Sequence, residues 1–341
     1  MNSLLHRRSL GLLLRWIPLV LFVVLIATFG ALSPRFLSIQ NFGAILVQSS
    51  SLIVVALGMN FVLLTAGVDL SVGAAMYVVA VIVGMHFGQS PVWVCLLVSI
   101  PVGASFGLLN SELIARLGLP AFITTLATLF IGRGVGLFLS STQIAYAGPA
   151  VAGLGRAAPL GVPGPLWIAG GSLVVAWVLL NRTPLGPYVR CVGANAESAR
   201  RAGVPTVAVL RGVYVLCGAF AGLSGFTLLC LTSAASGAFG QGTEFLAIAA
   251  AVLGGTSLFG GRGGLWAPVV GAVLITTVQN GLVMIDADPY SYPVITGAVI
   301  FFAALLDSVR AHLRGRMGRR VIRPKQPEAV SLSWHSSQTK G

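Results

Sequence analysis

Charge is what this chain has least of. Aspartate and glutamate together number 8 in 341 residues, and all charged residues make up 9%, against roughly 25% in an ordinary soluble domain. A water-facing globular fold is excluded on that count. Histidine is equally sparse: His6, His86, His312 and His335 are scattered toward ends and tails, so no cluster has metal-ligand spacing and no nucleophile–base pair stands out. Cys95, Cys191, Cys217 and Cys230 show no paired spacing of the disulfide or zinc kind and read as packing residues. The phosphate-loop pattern G-x-x-x-x-G-K-S/T is missing, so the chain is not expected to hydrolyse ATP itself, and nothing else marks it as an enzyme.

What is there is apolar. Hydrophobic residues make up 56% of the chain and the mean hydropathy is +0.92, values of a polytopic membrane protein of the all-α kind. The 43 glycines would let transmembrane helices approach closely where lipid gives no hydrophobic drive to associate. Apolar runs at 16–32, 41–65, 70–87, 92–109, 120–140, 165–180, 212–231, 244–258, 265–282 and 292–306 predict about ten spans. A signal peptide is the competing reading of the first run, which is longer than an ordinary h-region. The eighth run is short for a full crossing and can be a half-helix. Around this transmembrane domain, 16–307, lie an N-terminal arm, 1–15, and a basic tail, 308–341.

The net charge of +13 is carried by loops and tails, not by a basic face with interleaved aromatics, so no nucleic-acid partner is expected. With ten spans and an inner N-terminus, 18 of the 21 basic residues fall in inner segments, which places both termini in the cytoplasm and the chain in the inner (plasma) membrane. The tail then reads as an anchor to membrane lipid.

Polar residues interrupt this pattern at few places. In LLTAGVDLSVGAA, 63–75, Asp69 and Ser71 with Gly67 and Gly73 break two apolar runs, and backbone irregular at that depth must be packed in protein or line a cavity. Asp69 most plainly caps the following helix through backbone N–H groups near Val72; a substrate contact, a gate and an interface role are the other readings. Glu244 follows Gly242 as Asp69 follows Gly67, and Asn110 and Asn280 follow the two carboxylates at similar distances, suggesting an inverted internal repeat. Arg133 lies ~20 Å into its span and needs a partner: Asp69, Glu244 or a backbone carbonyl. Asn110 opens a polar turn, 110–118, and Ser49, Ser50, Ser51, Asn60 and Thr65 are candidate pathway residues or interhelix glue. In the inner loop 182–211, Asn195 can cap, Glu197 falls in the first turn, Arg200 and Arg201 in the last, Gly203 can take the left-handed stop and Pro205 forbids continuation. That predicts a surface helix over 196–202.

Taken together, TAGVDLSVG (65–73), LGLPAFITTLATLFIGRG (117–134), GPYVRCVGANAESARRAGV (186–204), GAFAGLSG (218–225), EFLAIAAAVLGGTSLFGGRGG (244–264) and QNGL (279–282) resemble the permease subunits of ribose-type sugar importers of the ATP-binding-cassette class over 41–307. The resemblance implies ATP-driven import of a sugar or sugar-like neutral solute. It also implies a cytoplasmic ATP-binding subunit that holds ATP and Mg, this chain binding no cofactor, a periplasmic or lipid-anchored solute-binding protein, and a second permease copy or related permease. By the same resemblance 182–211 is the coupling loop, with Gly193, Asn195, Glu197, Arg200, Arg201 and Gly203 gripped by the ATPase. Ala66-Gly67-Val68 stands where the family commonly has Gly-Gly-Ile, and Asn110-Ser111 where it commonly has Asn-Gly; the first change keeps size and shape nearly constant. The alternative class is an ion-coupled secondary transporter using Asp69 and Glu244.

Overall fold

The computed structural model describes residues 17–298 together with Phe301 and Leu305. The arm 1–15, the tail 308–341 and the rest of the tenth predicted span beyond residue 298 lie outside the described residues.

Apolar helices dominate, and proline sets where many of them begin. In chain order they are α1 Ile17–Leu32, α2 Ile39–Leu64, α3 Val72–His86, α4 Val92–Ser111, α5 Ala121–Ser140, α6 Pro149–Arg156, α7 Gly164–Asn181, α8 Leu185–Ala194, α9 Ala196–Arg201, α10 Thr206–Thr232, α11 Thr243–Leu253 and α12 Trp266–Met284. Residues 292–298 are also helical. Pro91, Pro120, Pro163 and Pro205 stand immediately before α4, α5, α7 and α10, where a missing N–H and a fixed φ cost nothing. Two-residue strands, β1 Ala145–Tyr146 and β2 Ala234–Ala235, pair antiparallel with Ala145 opposite Ala235.

Among the described residues, six helices are long and apolar enough to cross a membrane: α2, α4 with its continuation to Arg116, α5, α7, α10 and α12. Helix α3, at 15 residues, and α11, at 11, span only ~22 and ~16 Å, short of a hydrocarbon core of ~30 Å. The predicted turn at 110–118 is corrected: α4 runs on through a π turn, Glu112–Arg116, held by the Glu112–Arg116 ion pair at 2.9 Å and a second pair from Glu112 to Arg211. The seventh span likewise begins earlier, at Thr206, and the inner loop holds a second helix, α8, that the sequence pattern left unread.

Helix α2 is buried on every side from Ser49 to Leu64, as an all-round apolar helix must be. Helices α4, α5 and α7 instead turn Leu97, Ile100, Phe130, Phe138, Trp167 and Val174 outward. Helix α10 packs on α4, α2 and α3. Its contact with α4 is made by backbone: a Cβ on Gly103 or Gly107 would collide with Gly218, Gly222 or Tyr214 main chain, and one on Gly218 or Gly222 with that of Gly103 or Ser99. Small residues at i, i+4 and i+8 on α4 (Ser99, Gly103, Gly107) and at i and i+4 on α10 (Gly218, Gly222) permit this approach.

The two ends of the bundle differ. At one, the strands pair and Ala147 N donates to Ser233 O at 2.9 Å, with Gly148 pressed on Gly88. At the other, Gly261 N donates to Leu64 O at 2.9 Å and Gly193 sits against both. The bases of 182–211 and Arg262 belong to this second end.

The α4–α10 crossing gives a direct test. Gly103→Leu or Gly218→Leu is expected to lower stability in detergent by about 3 kcal/mol or more, whereas Gly170→Leu, which meets nothing within 4 Å, leaves the thermal midpoint unchanged. Equal midpoints for the two sets would show that the crossing is not tight.

Candidate functional site

The break between α2 and α3 starts with a left-handed residue. Ala66 has φ 61°, so its Cβ stands in the region that favours glycine. The expectation that Ala-Gly-Val in place of Gly-Gly-Ile keeps size and shape nearly constant leaves out this backbone strain. From there Gly67, Val68 and Asp69 carry no regular structure, and side chains from three other helices hold them. Tyr214 in α10 donates to Val68 O at 3.3 Å, and Thr125 in α5 donates to the same carbonyl at 3.5 Å. Gly67 leaves room for the Tyr214 hydroxyl.

Asp69 does not cap α3 at Val72. Its Oδ1 accepts from Ser71 N at 2.9 Å, from Ser71 Oγ at 2.6 Å and from Asn110 Nδ2 at 3.3 Å. An Asx turn two residues long wins over the cap because it is the nearest donor geometry available. Asn110 also donates to Ser71 Oγ at 2.8 Å and accepts from Thr128 Oγ1 at 2.8 Å. Asp69 is 0% exposed, and its Oδ2 has no partner among the described residues.

A second cluster forms one turn into α3. Arg133 Nη1 donates to Phe239 O at 2.5 Å, and more weakly to Gly237 O at 3.5 Å, while its guanidinium carbon stands 5.6 Å from the Tyr77 ring centroid. A backbone carbonyl is thus its partner, and no ion pair to Asp69 or Glu244 forms among the described residues. Glu244 is 5% exposed and accepts from Gly242 N at 3.3 Å through Oε1. Arg133 Nη2 and Glu244 Oε2 are both unpartnered and both face the missing Cβ of Gly73. Gly73 is what admits the carboxylate there.

Asn280 joins neither cluster. It lies on a cavity of about 620 Å³ between α2, α11, α12 and residues 292–297. Gln48, Gln241 and Gln279 line the same cavity, and none of these residues was signalled by the sequence. Nor were Thr128, Tyr214 and Tyr77, whose partners are tens of residues away. The serines and threonine proposed as pathway are otherwise engaged: Ser49, Ser50 and Thr65 bond carbonyls within α2, Ser51 exchanges bonds with Ser224 across to α10, and Asn60 accepts from Thr256 at 2.6 Å.

At the basic end, the local reading of the loop holds closely. Asn195 Oδ1 accepts from Ser198 N at 2.7 Å, α9 covers Ala196–Arg201, and Gly203 has φ +84°. Glu197 pairs with Arg200 at 2.8 Å and Arg201 at 3.0 Å, all three exposed. Those two arginines hold the carboxyl below its ordinary range, so the pairing is intact at neutral pH and is lost only as the medium acidifies through the lowered value. Gly260, with φ +78°, touches both Gly193 O and Ala66 N, which ties the α8–α9 unit to the start of the Asp69 break. Cys191 on α8 is exposed, unlike the buried Cys95, Cys217 and Cys230, so it is not a packing residue. No group of His, Cys, Asp and Glu able to hold a metal occurs among the described residues.

Ala66→Gly is expected to raise stability by about 1 kcal/mol by releasing the left-handed strain. Asn110→Ala, which strips Asp69 and Thr128 of a buried partner, is expected to lower it by about 2 kcal/mol. Thermal melts in one detergent check both; an Ala66→Gly midpoint below that of the parent would contradict the geometry.

A family model described as branched-chain amino acid transport system / permease component matches residues 41–304. The chain is 36% identical over 301 residues to the ribose import permease protein RbsC of Escherichia coli (strain K12), covering 85% of this chain and 92% of that protein. It is 34% identical over 288 residues to the D-allose transport system permease protein AlsC of the same strain, covering 83% and 88%. With the galactose/methyl galactoside import permease protein MglC of Haemophilus influenzae it shares 31% over 335 residues, covering 91% and 98%. No solved structure matches the chain.

Proposed function

The chain belongs to this family of transport-system permease components, and from that premise we propose that it is the membrane subunit of an ATP-driven importer that carries a sugar, or a neutral solute like one, across the inner membrane. The family description names branched-chain amino acids, whereas the relatives cited are permeases for ribose, allose and galactose. The agreement of those three relatives on sugars supports the sugar class, and the cavity at Asn280, whose lining residues carry no formal charge, is in keeping with it. An amino acid brings an ammonium and a carboxylate, each needing a paired charge if it is to leave water. A sugar needs only hydrogen bonds.

The chain would cross ten times, with the break 65–71 plus α3 and the segment 233–242 plus α11 each completing a crossing as half-helices. Both termini would then be cytoplasmic, and the two broken helices, one led by Asp69 and one by Glu244, would be the counterparts in an inverted repeat. The end that carries α8, α9 and Arg262 faces the cytoplasm by its basic residues.

There α9 is the docking element for an ATP-binding partner that holds ATP and Mg, with Glu197, Arg200 and Arg201 presented to it and Asn195, Gly193 and Gly203 shaping the presentation. Movement of that unit reaches Leu64 and Ala66 through Gly193 and Gly260, and so bears on the Asp69–Ser71–Asn110 network and on Gly67 and Gly73 beside it. Arg133 and Glu244, held apart across Gly73, are the groups positioned to change partners between inward and outward access. A solute-binding protein would deliver at the opposite end, a second permease would complete the path, and the basic tail would lie on lipid.

Replacing Glu197, Arg200 and Arg201 together with alanine is expected to release the ATPase on co-purification while the permease still inserts and melts as before. Retained ATPase would refute the docking role. In proteoliposomes containing the whole transporter, uptake should require ATP; uptake that persists without the ATPase and follows a proton or sodium gradient would instead establish the ion-coupled alternative.

A further inference from the structure

Four side-chain carboxamides meet where no local structure calls for them. Gln48 comes from the middle of α2, Gln241 from the approach to α11, and Gln279 and Asn280 from α12, all on the cavity of about 620 Å³. Among the described residues none of the four makes a side-chain hydrogen bond to the protein. Asn280 is only 5% exposed, yet its Oδ1 is without a partner, an arrangement that lowers stability unless something else supplies the donor. At this depth lipid cannot.

We infer that this cavity is the solute's contact site within the permease, in which the amides of Gln48, Gln241, Gln279 and Asn280 bind the hydroxyls of a neutral polyol ring. The inference rests on the sugar-permease reading and places substrate contact here, not at Asp69. Each carboxamide offers both donors and an acceptor, the same duality that a sugar hydroxyl presents. Tyr292 and Thr296 from the following segment line the cavity too, the ring giving an apolar wall for the C–H face of a sugar. With no fixed charge on the wall, the site holds a hydroxylated solute without trapping it, as a passage requires.

The test uses the permease reconstituted with its own ATPase and solute-binding protein, with D-ribose, D-allose, D-galactose and L-leucine as labelled probes. Asn280→Leu removes an unsatisfied polar atom while keeping the same branched side-chain skeleton beside an open cavity, so its thermal midpoint should stay level or rise. Uptake of whichever sugar the parent carries should fall at least about tenfold, while ATPase activity stimulated by the binding protein stays within about twofold. Gln48→Leu, on an exposed position, should give the same loss and carries the test if Asn280→Leu does not fold. Uptake within about twofold of the parent in the folded variants overturns the site. A parent that prefers L-leucine to all three sugars overturns the sugar reading itself, and the two failures are distinct.

Discussion

Where residues 99–107 cross 214–222, two helix backbones touch with no side chain between them, and the polar interior depends on that contact. Lipid supplies no hydrophobic drive for helices to associate, so close van der Waals approach must do it. Gly107 abuts the carbonyl of Tyr214; the Tyr214 hydroxyl thereby arrives 3.3 Å from Val68 O. Asn110 follows Gly107 by less than one turn of the same helix and reaches Ser71 at 2.8 Å. A wider crossing would withdraw both donors from the break at 65–71, leaving irregular backbone at a depth where no water can replace them.

Among the described residues, four of the six buried polar atoms without a partner lie near the two short helices. Asp69 Oδ2, Arg133 Nη2, Glu244 Oε2 and Asn280 Oδ1 are buried without partners, and each lies at or beside an end of α3 or α11, or on the cavity that α11 helps to wall. Elsewhere Ser51 pairs with Ser224, Asn60 with Thr256 and Tyr77 with Ser140, while Asn41 Oδ1 and Ser172 Oγ are the two other open atoms among the described residues. Asp69, Arg133 and Glu244 are the ionisable groups of that set, and buried ionisable groups left open answer to something besides folding.

The α8–α9 unit and this region share one seam. Gly193, Gly260, Gly261 and Ala66 pack around the carbonyl end of α2 with main chain against main chain. Side chains would cushion a displacement there; bare backbone transmits it. The strained Ala66 sits in that seam, which makes it the residue where a small change in φ alters the course of the whole break.

The sequence by itself determined the class, most of the long apolar helices and the small surface helix at 196–201, because hydropathy, proline positions and capping residues act within a few residues of where they stand. Asn195, Glu197 and Gly203 were legible for that reason, and the ordered motifs pointed to the family. Asp69 was legible as a break but not as an Asx turn tied to Asn110, since that bond joins residues 41 apart in the chain. The turn expected at 110–118 became helix because Arg211, on a distant element, holds Glu112. Only the tertiary structure decided that Arg133 bonds a carbonyl of the 233–242 segment, that Gly73 leaves space for Glu244, and that four amides from separate elements share one cavity. In each case the deciding partner lies far off in sequence, and helix packing alone brings it within reach.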